Sequence, residues 1–141
     1  MKGVLGLDLE SLHRQYKQKD QQRQATEKKI KLLKEKREKL KLAYTRMSGQ
    51  KAEYRKLRTS VDSVGNSISF WRGTNYDIFR DVYSSVVSEN KALHNQIDRI
   101  LDDINWKIND LDKEIASLQS DLLRLLNGLR DIKTWIANQT N

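Results

Sequence analysis

The sequence has 141 residues, a length that suits one domain. Its residues are 33% charged and 37% apolar, which excludes a thick globular core but allows long helices with an apolar stripe. Proline is absent, so no residue forbids a long helix, and the absence of cysteine excludes disulfides and thiolate chemistry. The net charge of +8 is uneven, with +10 on residues 1–70 and −2 on residues 71–141, so the two halves should attract each other.

The amino-terminal residues predict neither a signal peptide nor a membrane span. The apolar run from Val4 to Leu7 is shorter than the apolar core of a signal peptide. No stretch approaches the roughly 20 apolar residues that cross a bilayer. We therefore expect a cytoplasmic location and, if the protein is exported, a route without a cleavable signal.

A first helical arm is predicted over about residues 8–70. Its seam residues recur at alternating steps of four and three, which is the pattern of a coiled-coil helix. The seam comprises Leu5, Leu9, Leu12, Tyr16, Lys19, Arg23, Thr26, Ile30, Leu33, Arg37, Leu40, Tyr44 and Met47, and continues less regularly through Tyr54, Val61 and Ile68. Within residues 17–29, "KQKDQQRQATEKK", Ala25 is the only apolar residue.

A turn is predicted at residues 71–74. These residues lie in a stretch, residues 59–75, in which Ser, Asn, Gly and Thr cluster. The turn contains the motif Trp71-Arg72-Gly73. Glycine adopts positive φ at low cost, and tryptophan buries a large area where two helices meet. Thr74, followed three residues later by Asp77, resembles a capping box and places the start of the second helix near residue 75.

The second arm, over about residues 75–137, has the stronger heptad pattern. Only the step from Ile104 to Ile108 breaks the alternation of four and three. The predicted seam is Leu93, Ile97, Ile100, Ile104, Ile108, Leu111, Ile115, Leu118, Leu122, Leu125, Leu129, Ile132 and Ile136.

These elements predict an all-α fold, an elongated antiparallel two-helix hairpin that forms a single domain over residues 1–141. With the turn centred near residue 72, residue i faces residue 144−i, and apolar seam residues then oppose each other. Surface ion pairs, worth only about 0.2–1 kcal/mol each, would help to specify this register. The predicted pairs are Arg46 with Asp98, Lys41 with Asp103 and Lys34 with Asp110.

One part of the second arm has no apolar counterpart in this register, because its leucines face residues 17–29. Two interpretations stay open. Lysine and arginine stems of a bent or shifted first arm cover the leucines, or a second chain buries them, since contiguous exposed apolar surface marks an interaction site. The second interpretation predicts a partner-binding surface. Its residues are Ile115, Leu118, Leu122, Leu125, Leu126, Leu129 and Trp135.

No pattern indicates an enzyme, a metal site or a cofactor site. His13 and His94 lie far apart in the predicted register, are expected at the surface, and have no nearby His or Cys to complete a metal site. The basic run from Lys28 to Lys41 is interrupted by glutamates and lacks interleaved aromatic residues. An intramolecularly neutralised, solvated face is therefore favoured over a nucleic-acid or other polyanion site.

The central Trp71-Arg72-Gly73 motif, followed by Phe79, Val82, Tyr83 and Val86 between two heptad-patterned arms, resembles the WXG superfamily of type VII (Esx) secretion in Gram-positive bacteria. The resemblance implies that the tryptophan packs across the helix ends. It also implies export without a cleavable signal.

Two departures refine this resemblance. The arms are longer than is usual for the superfamily, and no Tyr-x-x-x-Asp/Glu export signal follows the second helix, because the last tyrosine is Tyr83. The chain is therefore most similar to the longer accessory proteins that bind LXG-type toxins. The resemblance implies a chaperone-like protein that binds the helical amino-terminal domain of a larger toxin, alone or with a second small helical protein, and is co-secreted with it. A self-associating coiled coil and a polyanion-binding protein remain the alternatives.

Overall fold

The computed structural model describes residues 8–67 and 74–140, and the side chains of residues 8–63 and 76–139. The described residues form two α-helices, α1 (Leu9–Ser67) and α2 (Thr74–Thr140), and no strand. The two helices pack against each other, which confirms the predicted all-α helical hairpin. The Trp71 and Gly73 motif and the turn around it lie outside the described residues.

Helix α1 begins with a capping aspartate. The Asp8 side-chain oxygen Oδ1 accepts a hydrogen bond from the Ser11 backbone N–H at 2.7 Å, and the Asp8 carbonyl accepts one from the Leu12 N–H. Asp8 thus satisfies backbone donors that have no partner within the helix.

The chain divides into two compact units, and the first consists of Met1–Glu38 and Asn109–Asn141. Its helices are antiparallel, because Lys29 contacts Glu114 whereas Arg37, further along α1, contacts the earlier residue Asp112. All the buried apolar side chains described in this unit lie on the predicted seams. They are Leu12, Ile30, Leu33, Leu111, Ile115, Leu129 and Ile132.

The second unit consists of Lys39–Ile108. Its described helix segments are also antiparallel, since Lys51 contacts Asp98 and Tyr54 contacts His94. Its core is thinner, because Ile97 and Leu101 are the only apolar side chains described as buried in this unit. The assignment of residues 1–141 to a single domain stays a prediction.

The core of the second unit corrects one seam residue of the sequence prediction. Ile100 was predicted at the seam but is 36% exposed, whereas Leu101 is buried. With Leu101 in its place, the steps from Ile97 to Ile136 alternate between four and three without interruption. The apparent break before Ile108 therefore came from choosing the wrong one of two adjacent apolar residues.

Two of the three predicted ion pairs are absent among the side chains that the structure describes, and the observed pairs deviate unequally from the predicted register. Lys29 and Glu114 fit it within one residue, whereas the partners of Arg37 and Lys51 lie five residues further along α2 than predicted. Asp98 bonds with Lys51 at 2.5 Å and not with Arg46, and Lys34 makes no ion pair within the described residues. Side chains lean towards the amino terminus of their own helix. In an antiparallel pair, this lean brings Arg37 and Lys51 to partners at higher residue numbers than a symmetric register predicts.

Candidate partner-binding surfaces

The polar stretch of α1 in the first unit keeps its place on the seam. Lys19, Arg23 and Thr26 are half-buried at their predicted seam positions within the continuous helix. The stem of Lys19 lies over Gly128, with its outer atoms 3.5–3.6 Å from the position of a Cβ there. The Lys19 stem thus covers part of the opposite helix, without any break in α1.

These stems leave the opposite leucines less buried than the neighbouring core. Leu118, Leu122 and Leu125 are only half-buried, whereas Ile115 and Leu129 on either side of them are 3% and 7% exposed. Next to the half-buried leucines, Leu123 is 60% and Leu126 is 43% exposed. We call these five leucines, Leu118, Leu122, Leu123, Leu125 and Leu126, the leucine face.

The structure divides the predicted contact residues into three groups. Ile115 and Leu129 belong to the core between the helices, and Leu118, Leu122 and Leu125 lie at its edge. Leu126 and Trp135 are exposed, but nine residues separate them, which is two and a half helical turns. They therefore lie on opposite flanks of α2 and do not form one surface. Partner binding by any of these residues stays a prediction.

The second unit contains an apolar groove that the sequence did not predict as a binding surface. Its volume is about 270 Å³, and it is open to solvent. Small-molecule sites enclose roughly 300–1,000 Å³, so this groove suits side chains of another protein better than a small ligand. Its lining residues are Leu57, Ser60, Val61, Phe79, Val82, Tyr83 and Val86.

Two contacts fix the aromatic part of this groove. The rings of Phe79 and Tyr83 are stacked, with centroids 6.1 Å apart, and the Tyr83 hydroxyl donates a hydrogen bond to Asp62 at 3.3 Å. Partial removal from water, together with the negative charge of Asp62, raises the pKa of Tyr83. The only sequence signal for this groove was the apolar series from Phe79 to Val86.

A polar layer crosses the seam of the second unit. His94 is half-buried against the edge of the Tyr54 ring, with centroids 6.3 Å apart, so the prediction of a surface histidine was wrong there. His94 Nε2 and Asn90 Oδ1 are buried atoms without a hydrogen-bond partner. His94 lies a three-residue step before buried Ile97, and it is half-buried like its neighbour Leu93, which was the predicted seam residue. His13 is exposed, as predicted.

The ion pair between Lys51 and Asp98 makes the stability of the same layer depend on pH. The hydrogen bond and charge of Lys51 lower the pKa of Asp98. Because this pKa is lower in the folded than in the unfolded chain, the stabilising contribution of the pair is complete at neutral pH. It is lost as the pH falls through the lowered pKa.

The described residues contain no cluster of three or more His, Cys, Asp or Glu side chains that would hold a metal ion. Within the same residues, neither helix has a segment that is both long and apolar enough to cross a membrane.

A YwqH-like family model matches residues 8–134. The chain belongs to the YwqH-like family. YwqH-like proteins are associated with WXG and LXG proteins, so the resemblance inferred from the motif and the arms is confirmed at that level. This YwqH-like chain is a small helical protein of the toxin-associated kind. No curated protein and no solved structure matches it.

Proposed function

We propose that this YwqH-like protein is a non-enzymatic, chaperone-like module that binds the helical amino-terminal domain of a larger LXG-type toxin. In this proposal the chain meets its partner in the cytoplasm and helps to target it to a type VII secretion system. Membership of a toxin-associated family supports the kind of partner.

The leucine face is the observation that carries this proposal. Three seam leucines, Leu118, Leu122 and Leu125, remain half-buried because the facing stretch of α1 supplies polar side chains. Leu123 and Leu126 lie beside this seam and are exposed. Their spacing follows the helical period, so another amphipathic helix is the complementary shape for them. Such a helix would bury the apolar surface that the lysine and arginine stems leave uncovered.

Co-expression tests the proposal directly. The chain would be produced together with the helical amino-terminal domain of the LXG-type protein encoded beside it, with an affinity tag on that domain only. We expect both proteins to co-purify and to elute as one species whose light-scattering mass equals a stoichiometric complex. Elution of the chain only at its own mass, or as a homo-oligomer without the tagged domain, would contradict the proposal and favour the self-associating coiled coil.

A further inference from the structure

Within the first unit, the basic run of α1 from Lys28 to Lys41 is only partly neutralised by α2. In the first unit, Lys29 lies 4.0 Å from Glu114 and Arg37 lies 3.1 Å from Asp112. The other lysines of this run that lie in the first unit are exposed and make no ion pair with any described residue. They are Lys28, Lys31, Lys34 and Lys36.

An exposed leucine lies in the middle of these lysines. Leu32 is 50% exposed, and Lys28 and Lys36 are each four residues away from it. Residues four apart are neighbours on one face of a helix. Lys28, Leu32 and Lys36 therefore form a row with one apolar side chain between two unpaired cations. We call this row, with Lys31 beside it, the lysine patch.

We propose that the lysine patch is a second docking site, separate from the leucine face, and that its occupant is an acidic amphipathic helix of another protein. An apolar side chain of that helix packs on Leu32. Carboxylates one turn before and one turn after it meet Lys28 and Lys36. These contacts between two proteins are of the same kind as the ion pairs that Lys29 and Arg37 make with carboxylates of α2.

The composition of the patch favours an acidic helix over a nucleic acid. Glu35 lies within the patch and Glu38 at its edge, and both would repel phosphates. Tyr16 is the only aromatic residue of α1 within the first unit, so bases have no stacking platform near the lysines. A helical partner with mixed side chains tolerates Glu35, because a lysine or a polar residue can face it.

A lipid surface fits the patch less well. A helix that lies on a membrane presents a broad apolar face below its lysines. Within Leu9–Glu38, Leu32 is the only large apolar side chain that is described as exposed. One leucine suits a side-chain contact with a protein helix rather than insertion into a bilayer.

Fluorescence anisotropy with a labelled peptide tests this proposal on the full chain. The probe is a peptide of about 20 residues, long enough for several helical turns, with leucines at the helical period, glutamates beside them and alanines elsewhere. We expect saturable binding that weakens at least about tenfold in the variant Lys28→Glu/Lys36→Glu, because two attractive pairs become repulsive. We also expect Leu32→Ser to weaken binding several-fold.

The matched control is Lys17→Glu/Lys113→Glu, which changes the net charge equally at exposed lysines of the same unit. It should bind the peptide within about twofold of the unchanged chain. An equal loss in the control, or no saturable binding at all, would overturn the proposal. Tighter binding of a single-stranded 20-nucleotide DNA, or of anionic phospholipid vesicles, than of the peptide would overturn it in favour of that ligand. Both charge variants leave the leucine face unchanged, so peptide bound at that face does not explain a loss confined to Lys28→Glu/Lys36→Glu.

Discussion

Replacing Leu123 and Leu126 together with aspartate is expected to weaken binding of the LXG-type helical domain by roughly 100-fold or more. In the proposed complex these leucines are buried against the partner helix, and a buried aspartate carries a large desolvation cost. Because both side chains are exposed in the chain by itself, the substitution should leave the helices folded. Titration calorimetry gives the affinity, and circular dichroism gives the helix content.

The matched control for this variant is Leu42→Asp/Trp106→Asp. Leu42 and Trp106 are 58% and 68% exposed, but they lie in the second unit. This control should bind the partner domain within about threefold of the unchanged chain, as expected for residues outside an interface. Similar losses in both variants, or unchanged binding in the first, would contradict the assignment of the leucine face as the binding surface.

The substitution Ile132→Ala is expected to lower the free energy of unfolding by about 2–5 kcal/mol. Ile132 is 1% exposed and, with Leu12 and Leu129, is part of the buried core of the first unit. Removing most of its side chain forfeits the burial of that apolar area and leaves a cavity between two helices that have few other layers to absorb it. Urea unfolding followed by circular dichroism measures the loss.

Leu123→Ala in the same helix is the control for this stability measurement. Because Leu123 is exposed, its substitution should change the free energy of unfolding by no more than about 0.5 kcal/mol. Equal losses for the two variants would show that α2 does not pack through the seam that contains Ile132.

Much of the fold could be predicted because a two-helix hairpin is dominated by one repeating pattern. Every buried apolar residue described in the first unit lies on a predicted seam, and even Lys19, Arg23 and Thr26 are half-buried where the heptad placed them. The seam error at Ile100 was avoidable from the sequence, because choosing Leu101 restores an uninterrupted alternation of four and three. The same alternation, continued from Ile97 towards the amino terminus, places His94 on the seam.

The ion pairs and the groove depended on information that the pattern does not contain. A heptad pattern shows which sides of two helices face each other, but it does not give their offset along the helix axis. Long basic side chains also reach partners about one helical turn away, as Lys51 reaches Asp98. The groove beside Leu57 depends on how far each helix is rotated about its own axis.

For the predicted binding surface, the sequence located the segment but not which side chains face outwards. Ile115 and Leu129 are in the core, and Leu123, which is more exposed than Leu126, lies outside the predicted set. Leu126 and Trp135 are nine residues apart, which places them on opposite sides of a helix. The sequence alone therefore shows that they do not share one surface.

Hydrogen–deuterium exchange of the chain with and without the LXG-type helical domain tests most directly whether the leucine face is the binding surface. Backbone amides exchange through local opening of the helix, and a helix packed on this face would suppress such opening. We predict slower exchange in peptides that cover residues 115–129 when the partner domain is bound, with unchanged exchange at the groove residues 78–86. Protection confined to residues 78–86, or none in residues 115–129 of a complex that does form, would contradict the prediction.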